Sequence, residues 1–133
     1  MQIDETTGVA AAMSPDVLTV GPGHTLRQVS QAMTRRRVGA AGVVGSDASG
    51  VGIITERDIL RSLAADEDPD VETARDHQTT DIVYATPTWS LGQAAEAMMR
   101  GGFRHLVVFE DNEVAGMLSV RDIVREWARQ ASA

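Results

Sequence analysis

GIITERDIL at residues 52–60 returns as GMLSVRDIV at residues 116–124, 64 positions later. Each stretch opens as a short apolar run beginning at glycine, which reads as a strand. It then passes through a hydroxyl residue, Thr55 or Ser119, into apolar residues at helical spacing, which reads as a helix start. Toward the N-terminus, GPGHTLRQVSQAM (21–33) overlies TPTWSLGQAAEAM (86–98) at an offset of 65. Pro22 falls on Pro87, Leu26 on Leu91, Gln28 on Gln93 and Met33 on Met98. The difference between the two offsets falls in the loops SDASG (46–50) and EDNE (110–113), where an insertion costs little. Two separated blocks in the same order mark an internal repeat.

Each copy reads as βαββα. A β-rich run (17–20; 82–85) ends in a turn carrying Pro22 or Pro87. The capping boxes Thr25-x-x-Gln28 and Ser90-x-x-Gln93 then open helices whose apolar positions are Leu26, Val29, Met33 and Leu91, Ala94, Met98. Two strands follow, 38–44 with 51–54 and 103–109 with 114–118, and a last helix carries Ile59, Leu60, Leu63 or Ile123, Val124, Trp127. The repeats span 9–65 and 73–130, joined by an acidic linker at 66–72. A unit of this size has too little interior to stand alone. The expected fold is therefore α/β (α+β), with two pseudo-symmetric repeats packed sheet to sheet and equivalent clefts between them.

Composition narrows the function classes. The net charge of −7 argues against nucleic acid, whose binding rests on clustered cations. No segment approaches the roughly 20 apolar residues of a membrane span, and the opening MQIDETTG is no secretory signal. The absence of cysteine excludes disulfides and thiolate zinc sites and fits a reducing cytoplasm. The cations are carried by Arg, which suits bidentate recognition of a small phosphorylated ligand.

The strand–helix junctions, Thr55-Glu-Arg57-Asp58 and Ser119-Val-Arg121-Asp122, carry the chemistry. One reading is structural: the hydroxyl caps the helix and the Asp completes the box near the positive dipole end. The other uses the same geometry for a ligand, since helix N-terminal N–H groups with Arg form an anion site and Asp can accept from a ribose diol. Arg35-Arg36-Arg37 reads as cations complementing a helix C-terminus. His24, His77 and His105 show no catalytic spacing, and there is no P-loop, GxGxxG or nucleophile elbow, so no enzyme is expected.

The repeated G-h-h-[TS]-x-R-D junction resembles the tandem cystathionine-β-synthase-type (CBS) domain pair, the Bateman module. The short helix ending at Met13-Ser14 and the LVVF run within 103–109 also fit that family. The resemblance implies an adenosine ligand (AMP, ADP, ATP or S-adenosylmethionine), with Thr55, Arg57, Asp58 marking one cleft and Ser119, Arg121, Asp122 the other. It implies that Arg104 and His105 face phosphate. The matching residues in copy one are Gly39 and Ala40, and Gly42 stands where the family usually has Pro. One competent cleft and one weak cleft are therefore expected. The resemblance further implies a stand-alone, cytoplasmic regulatory module signalling to an unknown partner protein, needing no cofactor or metal. It also implies a homodimer formed through helices that expose Leu63 and Trp127. The alternatives are a ligand-free structural dimerisation adaptor or an S-adenosylmethionine sensor.

Overall fold

Thr25 and Ser90 do what their spacing predicts: each hydroxyl accepts the N–H three residues on, and the Gln there returns the bond to the cap N–H. In the computed structural model, which describes residues 4–45, 51–111 and 113–132, these boxes open the two longest mid-chain helices. The SDASG loop lies outside the described residues, as does part of EDNE. A 3-10 turn at Val9–Ala11 leads into β1 (Thr19–Val20), α1 (Leu26–Arg36), β2 (Ala40–Val44), β3 (Val51–Thr55) and α2 (Glu56–Ala64). After α3 (Ala74–His77) the pattern repeats as β4 (Tyr84–Ala85), α4 (Leu91–Gly101), β5 (His105–Glu110), β6 (Glu113–Ser119) and α5 (Val120–Ala131).

The result is an α+β fold with two three-stranded sheets of matching topology, β1-β2-β3 and β4-β5-β6. In each, the first pairing is parallel and the second antiparallel. The strands β2 and β5 start two residues later than expected. The reason lies in the backbone: Val38 and Phe103 give their N–H groups to Met33 and Met98 to close the helices, while the Gly39 and Arg104 carbonyls accept from Glu56 and Val120. The expected strands at 17–20 and 82–85 form ladders of only two residues each.

Two compact units emerge, Leu18–Ile82 (the first unit) and the residues up to Val17 together with those from Val83 onward (the second unit). They are offset from the repeats of the sequence. Residues 9–17 belong to the first repeat, yet Val9 is fully buried among Ala85, Leu91, Leu106 and Leu118 in the second unit. Its N–H donates to the Trp89 carbonyl at 2.7 Å, and Ser14 pairs with Met117 in both directions at 2.9 and 3.0 Å. The first unit does the same with residues 69–79: Thr79 pairs with Ile53 at 2.8 and 2.9 Å, and Ala74 joins the core of Leu26, Val29, Val43, Ile54 and Ile59. Gly116 and Gly52 make room for these segments, since a Cβ on Gly116 would lie 2.9 Å from the Ser14 carbonyl oxygen.

The acidic stretch at 66–72 is ordered against the start of α1. Leu26 and Arg27 donate their N–H groups to the Glu72 and Pro69 carbonyls, and the Arg27 guanidinium grips Asp70 with both arms. That hydrogen-bonded contact holds the Asp70 carboxyl below its ordinary value. Trp127, expected on an exposed face, is instead half-buried against the core of the second unit. The end of α5 is tied to the N-terminal segment, with Gln130 donating to Thr7 and accepting from the Asp4 N–H, both at 3.0 Å. Among the described residues, no helix is long and apolar enough to cross a membrane.

Candidate functional site

The two repeated junctions have the same backbone and differ in their side chains. In the first unit, the Thr55 hydroxyl accepts the Asp58 N–H at 3.2 Å, and Asp58 Oδ2 accepts the Thr55 N–H at 2.8 Å and its hydroxyl at 3.0 Å. In the second unit, Ser119 Oγ accepts the Asp122 N–H at 3.1 Å, and Asp122 Oδ2 accepts the Ser119 N–H at 2.8 Å. Both are complete capping boxes, so the structural reading of these residues holds as geometry.

A ligand would find different vacancies at the two junctions. Both Thr55 bonds fall on Oδ2 of the half-buried Asp58, which among the described residues leaves Oδ1 for another donor. Asp122 is more deeply buried, and its Oδ1 accepts from Arg125 Nη1 at 3.2 Å. Arg125 was not singled out from sequence, although Arg61 stands at the same spacing after Asp58, so the repeat itself carried the signal. At both helix starts the first N–H goes to Gly39 or Arg104 and the third to the cap hydroxyl. The second N–H, on Arg57 and Arg121, is the donor not taken up among the described residues, and both side chains are exposed. An exposed guanidinium beside an open helix N–H is suited to an anion.

Arg104 and His105 join the junction of the second unit. His105 is the Cα partner of Ser119 in the β5–β6 ladder, and the Arg104 carbonyl accepts the first N–H of α5 at 3.0 Å. Arg104 is exposed and His105 half-buried. The corresponding pair in the first unit, Gly39 and Ala40, offers no charge at the same place. Gly39 is also crowded, with Glu56 Oε1 3.3 Å from where its Cβ would stand.

Comparison with known proteins agrees with this architecture. The CBS domain family model matches residues 9–65 and 74–129. A CBS domain protein of Pyrobaculum aerophilum, solved in complex with AMP, is 28% identical with a TM-score of 0.78, covering 92% of this chain and 98% of that one. An uncharacterized 17.7 kDa protein of Acidianus ambivalens is 32% identical over 90% of this chain and 72% of its own length. An uncharacterized protein of Methanocaldococcus jannaschii is 29% identical over 90% of this chain, which spans only 44% of that relative. With two matched segments covering most of its length and a sheet topology repeated to match, the chain belongs to the CBS domain family as a tandem pair.

Proposed function

We propose that the chain is a non-catalytic regulatory module that binds an adenosine nucleotide at its strand–helix junctions. Thr55, Arg57 and Asp58 serve one junction, and Ser119, Arg121 and Asp122 the other, with Arg104 and His105 adding phosphate contacts to the second. The observation that carries this reading is the AMP complex of the Pyrobaculum aerophilum relative. The open helix N–H beside an exposed Arg at each junction supports it. AMP has about 23 heavy atoms, and about 0.3 kcal/mol per atom gives a Kd on the order of 10 μM. A thermal shift series with AMP, ADP, ATP and S-adenosylmethionine tests it: stabilisation by an adenosine ligand is expected, and none by any of the four overturns it.

A second reading, a ligand-free adaptor, is favoured by one observation. Both Asp carboxylates already serve in caps, and that of Asp122 has both oxygens engaged. The same assay separates the two. Either module signals to a partner protein, and Leu60 and Leu63 on α2 with Val120 and Val124 on α5 leave exposed apolar surface that supports a homodimer.

A further inference from the structure

Away from both junctions, on the corner between α2 and α3 in the first unit, three side chains aim their ligating atoms at one point. Glu67, Glu72 and His77 each present one such atom, all within 4.8 Å of one another. His77 Nε2 lies 2.8 Å from Glu72 Oε1 and 3.8 Å from Glu67 Oε1. We infer that these residues form a binding site for a first-row divalent transition cation such as Zn2+.

The arrangement exceeds what a structural ion pair needs. One carboxylate satisfies His77 Nε2, and a second brought to the same nitrogen repels the first. The chain nevertheless holds Glu67 there. The turn after α2 passes through Asp66 in the left-handed region (φ 62), and the Glu67 N–H returns to the Ser62 carbonyl at 3.1 Å. The Ser62 hydroxyl, on a residue only 2% exposed, donates to Glu67 Oε1 at 2.8 Å. A buried donor that orients a ligating carboxylate is the support such sites require. Glu72 precedes α3 and His77 ends it, and their side chains are 25% and 18% exposed, so the site opens to solvent on one side.

The donor set defines the cation. A cation with bonds of about 2.0–2.2 Å separates its ligand atoms by roughly 3.0–3.6 Å, a range bracketed by the 2.8 and 3.8 Å from His77 Nε2 to the two carboxylates. Imidazole selects zinc and its neighbours over Mg2+ and Ca2+. On binding, His77 ligates through Nε2 as the neutral imidazole, and the cation takes the place of its hydrogen bond to Glu72. Three protein ligands leave a fourth position for water.

Equilibrium dialysis of the untagged 133-residue chain against Zn2+ is expected to give one bound ion per chain, with no binding of Mg2+ at the same concentration. His77→Gln and Glu72→Gln each lower the affinity at least about 10-fold, Ser62→Ala lowers it less, and His24→Gln leaves it unchanged. No bound Zn2+, or binding undiminished in His77→Gln, overturns the site. Should a variant fail to fold, Mn2+ added to the 15N-labelled wild type decides: the amides of Glu67, Glu72 and His77 broaden first if the site exists, and their broadening no earlier than the rest of the chain overturns it.

Discussion

His105 stands directly across the β5–β6 ladder from Ser119, the residue whose hydroxyl caps α5. The equivalent place in the first unit, opposite Thr55, is held by Ala40. The Arg104 guanidinium and the His105 imidazole are therefore built into one junction only. Arg104→Ala is expected to weaken AMP binding about 10-fold, the loss of one charge-assisted hydrogen bond. Because Arg104 is exposed, the melting temperature without ligand stays unchanged. Titration calorimetry beside a thermal melt checks both halves, and unaltered affinity removes Arg104 from the site.

Asp58→Ala and Asp122→Ala both delete a capping-box carboxylate. Each is expected to cost about 1 kcal/mol in a urea titration, with the larger loss at Asp122, which is more buried and also holds Arg125. At least one also weakens AMP binding. If both bind the nucleotide like wild type, the two residues are helix caps and nothing more.

Gly116→Ala and Gly52→Ala test the close approach of the paired segments. At Gly116 the new methyl meets the Ser14 carbonyl oxygen and Met13 Sδ, so a loss of about 1–3 kcal/mol is expected. At Gly52 its nearest neighbour is the end of the Gln78 side chain, which can swing away, and the cost is smaller. Chemical denaturation ranks the two, and an equal or reversed order contradicts the packing described.

Arg37→Gly should stabilise the protein. Arg37 ends α1 in the left-handed region (φ 56), where the second repeat ends α4 with Gly102 (φ 69). Glycine relieves the steric cost at the expense of some unfolded-chain entropy, for a net gain of up to about 1 kcal/mol. A lower melting midpoint would count against this account of the cap.

Light scattering tests the homodimer. Twice the chain mass of 14.2 kDa is expected for the wild type, and Leu60→Glu, which places a charge on the exposed face of α2, is expected to return the single-chain mass. Single-chain mass for the wild type at tens of micromolar rejects the dimer. Trp127→Glu is a poor probe, because Trp127 packs into its own unit and the change unfolds it.

The helices and their starts were legible because their signals are local. Thr25, Thr55, Ser90 and Ser119 all cap as the spacing requires. The family resemblance was equally legible from the repeated junction. What stayed hidden was the partner of residues 4–17 and 69–79, since a backbone pairing such as Ser14 with Met117 leaves no periodicity behind. Only the paired glycines hinted at it, and a glycine in a strand has several meanings. The site at Glu67, Glu72 and His77 was hidden for a similar reason. In sequence these residues read as acidic linker and stray histidine, and only the turn through Asp66 brings them together.

The exchange of leading segments sets an order of events during synthesis. The first unit is continuous from Leu18 to Ile82, longer than either repeat of the sequence because it includes residues 66–82, and can close while the rest of the chain is still being made. Residues 4–17 cannot join it. Their partners Trp89, Ser90 and Met117 all lie beyond Ile82, so Val9 must wait, unburied, until β6 has emerged. Closure of the second unit is then a slow, high-contact-order step. A ribosome stalled once Ile82 has cleared the exit tunnel would display a finished first unit preceded by a tail still open to proteases.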